Sequence, residues 1–168
     1  SRGQSTIGGK DIWFDADIQK LNDEERGLYL GQFNRGDHIL ATLTDGTYYT
    51  TGFDLSSRYQ GELLKIEKFE AGKTYTALYD DKAAKSFYIK RFSFEVSDNS
   101  PVCFISSVKG SYLVELSEDL HPQFEITFGG KNEFREPEKV DAEEFIAKKG
   151  INAKGKKVSS MDVKSVKL

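Results

Sequence analysis

Residues 150–157, Gly-Ile-Asn-Ala-Lys-Gly-Lys-Lys, place two glycines and a lysine at the spacing of a phosphate-binding loop. In such a loop the backbone N–H groups cradle phosphate oxygens, and the residue after the lysine is Ser or Thr, which holds magnesium. Here that residue is Lys157. A phosphate-binding loop also follows a buried strand and opens a helix, whereas this stretch follows an expected short helix. Nucleotide hydrolysis is excluded on those grounds. What remains is a glycine-spaced lysine cluster, able to meet phosphates as point charges. Its members are Lys148, Lys149, Lys154, Lys156 and Lys157. With Lys164 and Lys167 against a single acid, Asp162, they give residues 145–168 a net charge of +6. The 168-residue chain carries -3, so residues 1–144 carry -9. A tail opposite in sign to its body points to an anionic contact or to docking on an acidic surface; a solvated terminus is the alternative.

The other reactive residue types are sparse. His38 and His121 are the only histidines, and each stands beside turn residues, the ordinary setting of a solvated side chain. Cys103, the one cysteine, lies in an apolar strand-like segment where a thiol packs as a small core residue. It excludes a disulfide framework and a cysteine-based zinc cluster. Asp15-x-Asp17 and Asp80-Asp81 offer hard oxygen ligands, but aspartates in turns more commonly serve local hydrogen bonding. No cofactor is expected. Further cations, Arg58, Lys65, Lys68, Lys90 and Arg91, alternate with aromatic residues on expected strands and turns. Their functional reading is a cationic outer edge; the alternative is the polar face of ordinary strands or lysines that protect exposed edges.

The elements that must position these groups read as β-structure. Ile39–Thr44 and Thr47–Thr51 flank Asp45-Gly46, a strong hairpin signal. Thr74–Tyr79 with Ser86–Phe92, and Ser111–Leu116 with Gln123–Phe128, read as two more hairpins. Leu43, Leu78 and Leu116 are then equivalent, at spacings of 35 and 38. A short apolar segment precedes each hairpin: Leu28–Phe33, Leu63–Phe69 and Val102–Ile105. Ile12-Trp13-Phe14 reads as the end of an earlier unit. A strand-built repeat of this period predicts propeller-like blades, with an irregular antiparallel barrel or sandwich as the alternative. Residues 129–140 read as a linker. One helix is predicted over Ala142–Lys149, with Asp141 as N-cap, Glu144 at the capping-box position and Gly150 as its stop. The expected organisation is 1–130 as about three blades and 131–168 as linker, short helix and basic tail that completes a blade. No apolar run approaches the roughly 20 residues of a bilayer span, and no secretory leader is recognised, so a cytoplasmic location is the default expectation.

The order of these segments resembles a known family. Gly8-Gly-Lys-Asp-Ile-Trp-Phe-Asp15, the Asp45-Gly46-Thr47 hairpin, Lys65-Ile-Glu-Lys-Phe69, Lys90-Arg-Phe92, the Phe128-Gly-Gly130 junction and the Lys149–Lys157 tail are similar to the C-terminal domain of bacterial type IIA topoisomerase A subunits. The similarity is closer to the topoisomerase IV branch than to gyrase. It covers nearly the whole chain and rests on the order of the segments rather than on one motif. It implies an all-β fold, a β-pinwheel of antiparallel blades with one short C-terminal helix. It implies that the catalytic tyrosine and the breakage-reunion domain lie elsewhere, so this chain is not itself an enzyme. The implied partners are double-stranded DNA, the remainder of the A subunit and the ATPase B subunit, in the cytoplasm beside the nucleoid and away from membranes. The gyrase-type wrapping box, a glutamine followed by paired arginines and glycines, is not seen, which argues against chiral wrapping. The acidic body implies a partial rather than complete cationic rim. The expected DNA-binding residues are Lys148, Lys149, Lys154, Lys156, Lys157, Lys90, Arg91, Lys65, Lys68 and Arg58. The alternative is a propeller-like protein-interaction module whose acidic body is the working surface.

Overall fold

The computed structural model describes residues 9–168; Gly8, at the head of the resemblance, lies outside the described residues. Strand β1 (Lys10–Asp15) forms a hairpin with β2 (Lys20–Asn22), and β3 (Leu28–Phe33) returns to the free edge of β1. The same move recurs. β4 (Ile39–Leu43) and β5 (Thr47–Thr51) pair, and β6 (Leu63–Lys68) returns to β4. β7 (Tyr75–Asp81) and β8 (Ser86–Phe92) pair; β9 (Val102–Cys103) joins the edge of β5, and β10 (Tyr112–Ser117) returns to β7. β11 (Gln123–Phe128) takes β12 (Glu138–Asp141) on one edge. After helix α1 (Ala142–Phe145), β13 (Lys156–Lys157) joins β8 and β14 (Val163–Lys167) closes on the other edge of β11.

Among the described residues four antiparallel sheets result, in the orders β2-β1-β3, β6-β4-β5-β9, β10-β7-β8-β13 and β12-β11-β14. The fold is all-β with one short helix. Each sheet is a hairpin plus a returning strand. In the second and third sheets a fourth strand comes from the connection that precedes the next returning strand. In the first sheet that place is held by a single bridge, Lys20 to Arg58. The residue after each of these added segments is buried and bulky: Tyr59, Phe104 and Val158. Apolar anchoring of a short strand offsets the weak pairing that two residues alone supply.

The chain forms two compact units, Ser1–Glu70 with Val96–Val102, and Ala71–Glu95 with Cys103–Leu168. The core of the first gathers Ile12, Phe14, Leu21, Phe33, Ile39 and Ile66 with Tyr49 and Tyr59. There the returning segment is tied to β5 by a reciprocal pair, Thr50 N–H to Ser97 Oγ and Ser97 N–H to Thr50 Oγ1, each 2.8 Å. The core of the second gathers Leu78, Ile89, Phe124, Ile126, Phe128 and Val166.

Local turn chemistry behaves as its residues dictate. Asp45 Oδ1 accepts from the Thr47 N–H at 3.0 Å and from the Thr47 hydroxyl at 2.6 Å, and Gly46 takes φ +84, closing the β4–β5 hairpin. Several expectations need correction. The hairpin of Ser111–Leu116 with Gln123–Phe128 does not form: β10 pairs with β7, Leu113 opposite Tyr79, while β11 lies in another sheet. Both edges of β11 are taken by β12 and β14, which leaves β10 to the free edge of β7. The segments expected to precede each hairpin instead complete an earlier sheet, as β3, β6 and β9 do, and Ile12-Trp13-Phe14 is the centre of a sheet of its own. The helix ends at Phe145 rather than Lys149. Asp141 caps it, accepting from the Glu143 and Glu144 amides, but Ile146 is already extended. The Lys149 N–H donates to Arg91 O, which draws the chain along β8 in place of another helical turn. The last residues of the supposed linker form β12.

Candidate nucleic-acid interface

The ten cations singled out by sequence fall into distinct settings. Lys90 and Arg91 do not project from an edge; both are buried, at 4% and 7% exposure. Consecutive residues of β8 face opposite sides of the sheet, so both of its faces are covered at this point of the strand. The Lys90 ammonium donates to Phe104 O at 2.9 Å and Ile151 O at 2.5 Å and lies 4.9 Å from the centre of the Phe92 ring. Burial pulls its pKa down to about 8, with neighbouring Cys103 acting in the opposite direction. Arg91 Nε donates to Thr76 Oγ1 at 3.2 Å. These two side chains are engaged in holding strands together.

Several tail lysines are also engaged. Lys154 pairs with Asp81 at 3.0 Å and covers the Tyr88 ring at 4.7 Å. Its backbone carbonyl accepts from the Tyr79 hydroxyl, whose pKa burial raises. Burial pushes the Asp81 carboxyl up, but Lys154 and the amides of Ala83 and Ala84 outweigh it and hold it below its usual value. The bond to Asp81 in turn raises the Lys154 pKa. Lys156 lies 3.9 Å from the centre of the Phe145 ring and donates to Phe145 O. Lys148 donates to Gly72 O at 3.0 Å. In the first unit, Lys68 donates to Gln32 O at 2.6 Å and faces Asp37, and Lys65 faces Glu67 at 3.8 Å. Arg58, Lys149 and Lys157 are exposed, and among the described residues no ion pair involves them.

The remaining sequence candidates are structural. Cys103 is exposed on its edge strand rather than packed in a core. His121 faces Glu143 at 3.2 Å, and His38 stands edge-on to Phe69. Asp15 accepts from the Asp17 amide, an aspartate turn. In the glycine-spaced stretch, Gly155 takes φ +95, and a Cβ there would stand 2.3 Å from Ile89 O. That glycine therefore serves the close approach to β8. Among the described residues no group of His, Cys, Asp or Glu could hold a metal ion.

Folding redistributes the charge. The first unit holds eight Lys and Arg against thirteen Asp and Glu, a net -5; the second holds sixteen against fourteen, a net +2. The second unit also carries a groove of about 720 Å³ lined by the β7–β8 turn and the β13–β14 connection. Four lysines reach it, Lys82, Lys85, Lys157 and Lys164, against Asp80 and Asp162. Only Lys157 among them was singled out from sequence as a contact residue. The one sequence signal for Lys82 and Lys85 is the polar link Asp80-Asp-Lys-Ala-Ala-Lys85, which reads as an ordinary turn.

The arrangement defines an all-β module of repeated antiparallel sheets, one unit acidic and the other mildly cationic. The family model described as topoisomerase C-terminal domain, Bacteroidota, matches residues 20–168, and the chain belongs to that family. It corresponds to a non-catalytic C-terminal domain of a bacterial type IIA topoisomerase A subunit. No curated protein sequence matches the chain.

Proposed function

We propose that this chain is a sequence-tolerant DNA-binding domain that presents a duplex segment to the catalytic core of a topoisomerase IV-like enzyme. Its sheets act as β-pinwheel blades on which phosphate contacts accumulate along a bent duplex. The observation that carries this reading is the segregation of charge: the second unit is net cationic and displays Lys85, Lys149, Lys157 and Lys164 outward. Lysines of this kind neutralise phosphates and release counterions without reading bases. Bending a 20–30 bp site costs about 1–6 kcal/mol, which the added contacts offset. With a net charge of only +2 on the binding unit, affinity is modest, and tethering to the rest of the A subunit raises the local concentration of DNA. The ATPase B subunit and the nucleoid are the remaining partners and setting. The -5 of the first unit favours a second role, docking of a basic protein surface.

The test is binding of the 168-residue chain to a labelled 30-bp duplex between 50 and 300 mM salt. The reading expects micromolar binding at low salt that falls steeply with salt and is indifferent to sequence. Absence of binding at 50 mM, or binding that ignores salt, refutes it.

A further inference from the structure

We propose that the groove between the β7–β8 turn and the β13–β14 connection seats the phosphodiester backbone of duplex DNA, a proposal that rests on the DNA-binding reading above. Three features set it apart from scattered surface lysines. Its acids are already engaged: Asp80 faces Lys82 at 3.5 Å, and Asp162 Oδ2 accepts from the Lys131 amide at 3.4 Å. Lys85, Lys157 and Lys164 are exposed, and among the described residues no ion pair involves them. With four lysines against two carboxylates the groove keeps a net charge of +2 for a ligand's negative charge to meet.

Both walls are fixed before any ligand arrives. Asp81 caps the β7–β8 turn, accepting from the Ala83 amide at 3.0 Å, and Lys85 closes it at φ +54. On the other side Val158 N–H donates to Phe87 O, Met161 N–H to Ser159 Oγ, Asp162 N–H to Asn132 Oδ1 and Gly129 N–H to Asp162 O. A backbone that is already ordered adds no cost of its own to binding, which leaves only the lysine side chains to immobilise. The hydroxyls of Ser159, Ser160 and Tyr112 also line the groove, and hydroxyls beside lysines are ordinary partners of phosphate oxygens. The lining holds one aromatic ring at the rim, Tyr112, and the partly buried Phe87, and it offers no stacking platform for unpaired bases. A duplex presenting its backbone fits this chemistry; a single strand does not.

The experiment compares the 168-residue chain with a variant carrying Lys85→Ala, Lys157→Ala and Lys164→Ala. A control carries Lys109→Ala, Lys139→Ala and Lys167→Ala, the same charge loss elsewhere in the second unit. With a labelled 30-bp duplex at 50 mM salt, the groove variant loses about tenfold or more in affinity, and its salt slope falls by about 2–3, near 0.9 per lost phosphate contact. The control stays within about threefold. Equal losses in both variants, or unchanged binding in the groove variant, overturn the groove while leaving the DNA-binding reading intact. A parent chain that binds no duplex overturns both. A measurement without mutation covers misfolding: bound duplex protects Lys85, Lys157 and Lys164 from acetylation by acetic anhydride while Lys109 and Lys139 react freely. Uniform reactivity with and without duplex overturns the proposal.

Discussion

Replacing Lys90 with Met removes a buried ammonium and keeps its aliphatic stem. In the native chain burial lowers this group's pKa to about 8, below the ordinary lysine value of 10.5. Between those two values the unfolded chain holds a proton that the native chain has released. Stability therefore rises with pH across that window, and the cost of the buried charge is fully present below pH 8. A fall from 10.5 to about 8, at 1.36 kcal/mol per pKa unit, sets an upper bound of about 3–4 kcal/mol. The carbonyls of Phe104 and Ile151 accept from the charged form and favour it. Those charge-assisted bonds reduce the expected rise to about 1–2 kcal/mol. The assay is urea unfolding followed by circular dichroism at pH 7.5 to 10.5 for the parent and Lys90→Met. Tyrosines titrate in the same range, but they are common to both proteins and cancel in the difference. The expected result is that parent stability gains about 1–2 kcal/mol on the variant as pH rises. A difference that stays flat across the range refutes the claim that Lys90 is held against its own desolvation.

Other perturbations follow from the same contacts. Asp81→Asn removes the partner of Lys154 and weakens the cap on Ala83 and Ala84; it costs about 1–3 kcal/mol at pH 7 in thermal unfolding. Because the folded Asp81 pKa is lowered, that contribution is present above the ordinary aspartate value and disappears as pH falls through the folded one, so parent and variant converge in acid. Tyr59→Phe deletes the 2.7 Å bond with Thr51 Oγ1, a loss of about 1 kcal/mol by chemical denaturation. Burial raises the Tyr59 pKa to about 12, so the parent loses stability as pH climbs from the free tyrosine value towards it, and the variant lacks that loss. Gly155→Ala forces a Cβ against Ile89 O at φ +95; a penalty above about 2 kcal/mol is expected, together with faster hydrogen exchange at Val158, whose N–H bonds Phe87 O.

Chain-local physics made part of this protein legible from its residues. Asp45-Gly46 makes a turn because an aspartate side chain bonds the amide two residues on and a glycine accepts positive φ; both causes lie within three residues. Asp141 caps a helix for the same reason. Alternation of Val, Ile, Tyr and Phe established β-structure, and the order of segments pointed to the family that the chain joins. Tertiary structure decided the rest. Alternation says that Tyr112–Ser117 is a strand but not which edge it will take, since β7 and β11 present the same hydrogen-bonding groups; the choice fell to β7 across more than thirty residues of chain. The fate of each lysine was equally non-local. A lysine stem is apolar and its head is charged, so the same residue type is buried against carbonyls at position 90, bound to a carboxylate at 154, and free at the lip of a groove at 157. Which of these occurs depends on what the fold brings to its side, and for Lys90 and Lys157 that includes groups from more than sixty residues away in the sequence.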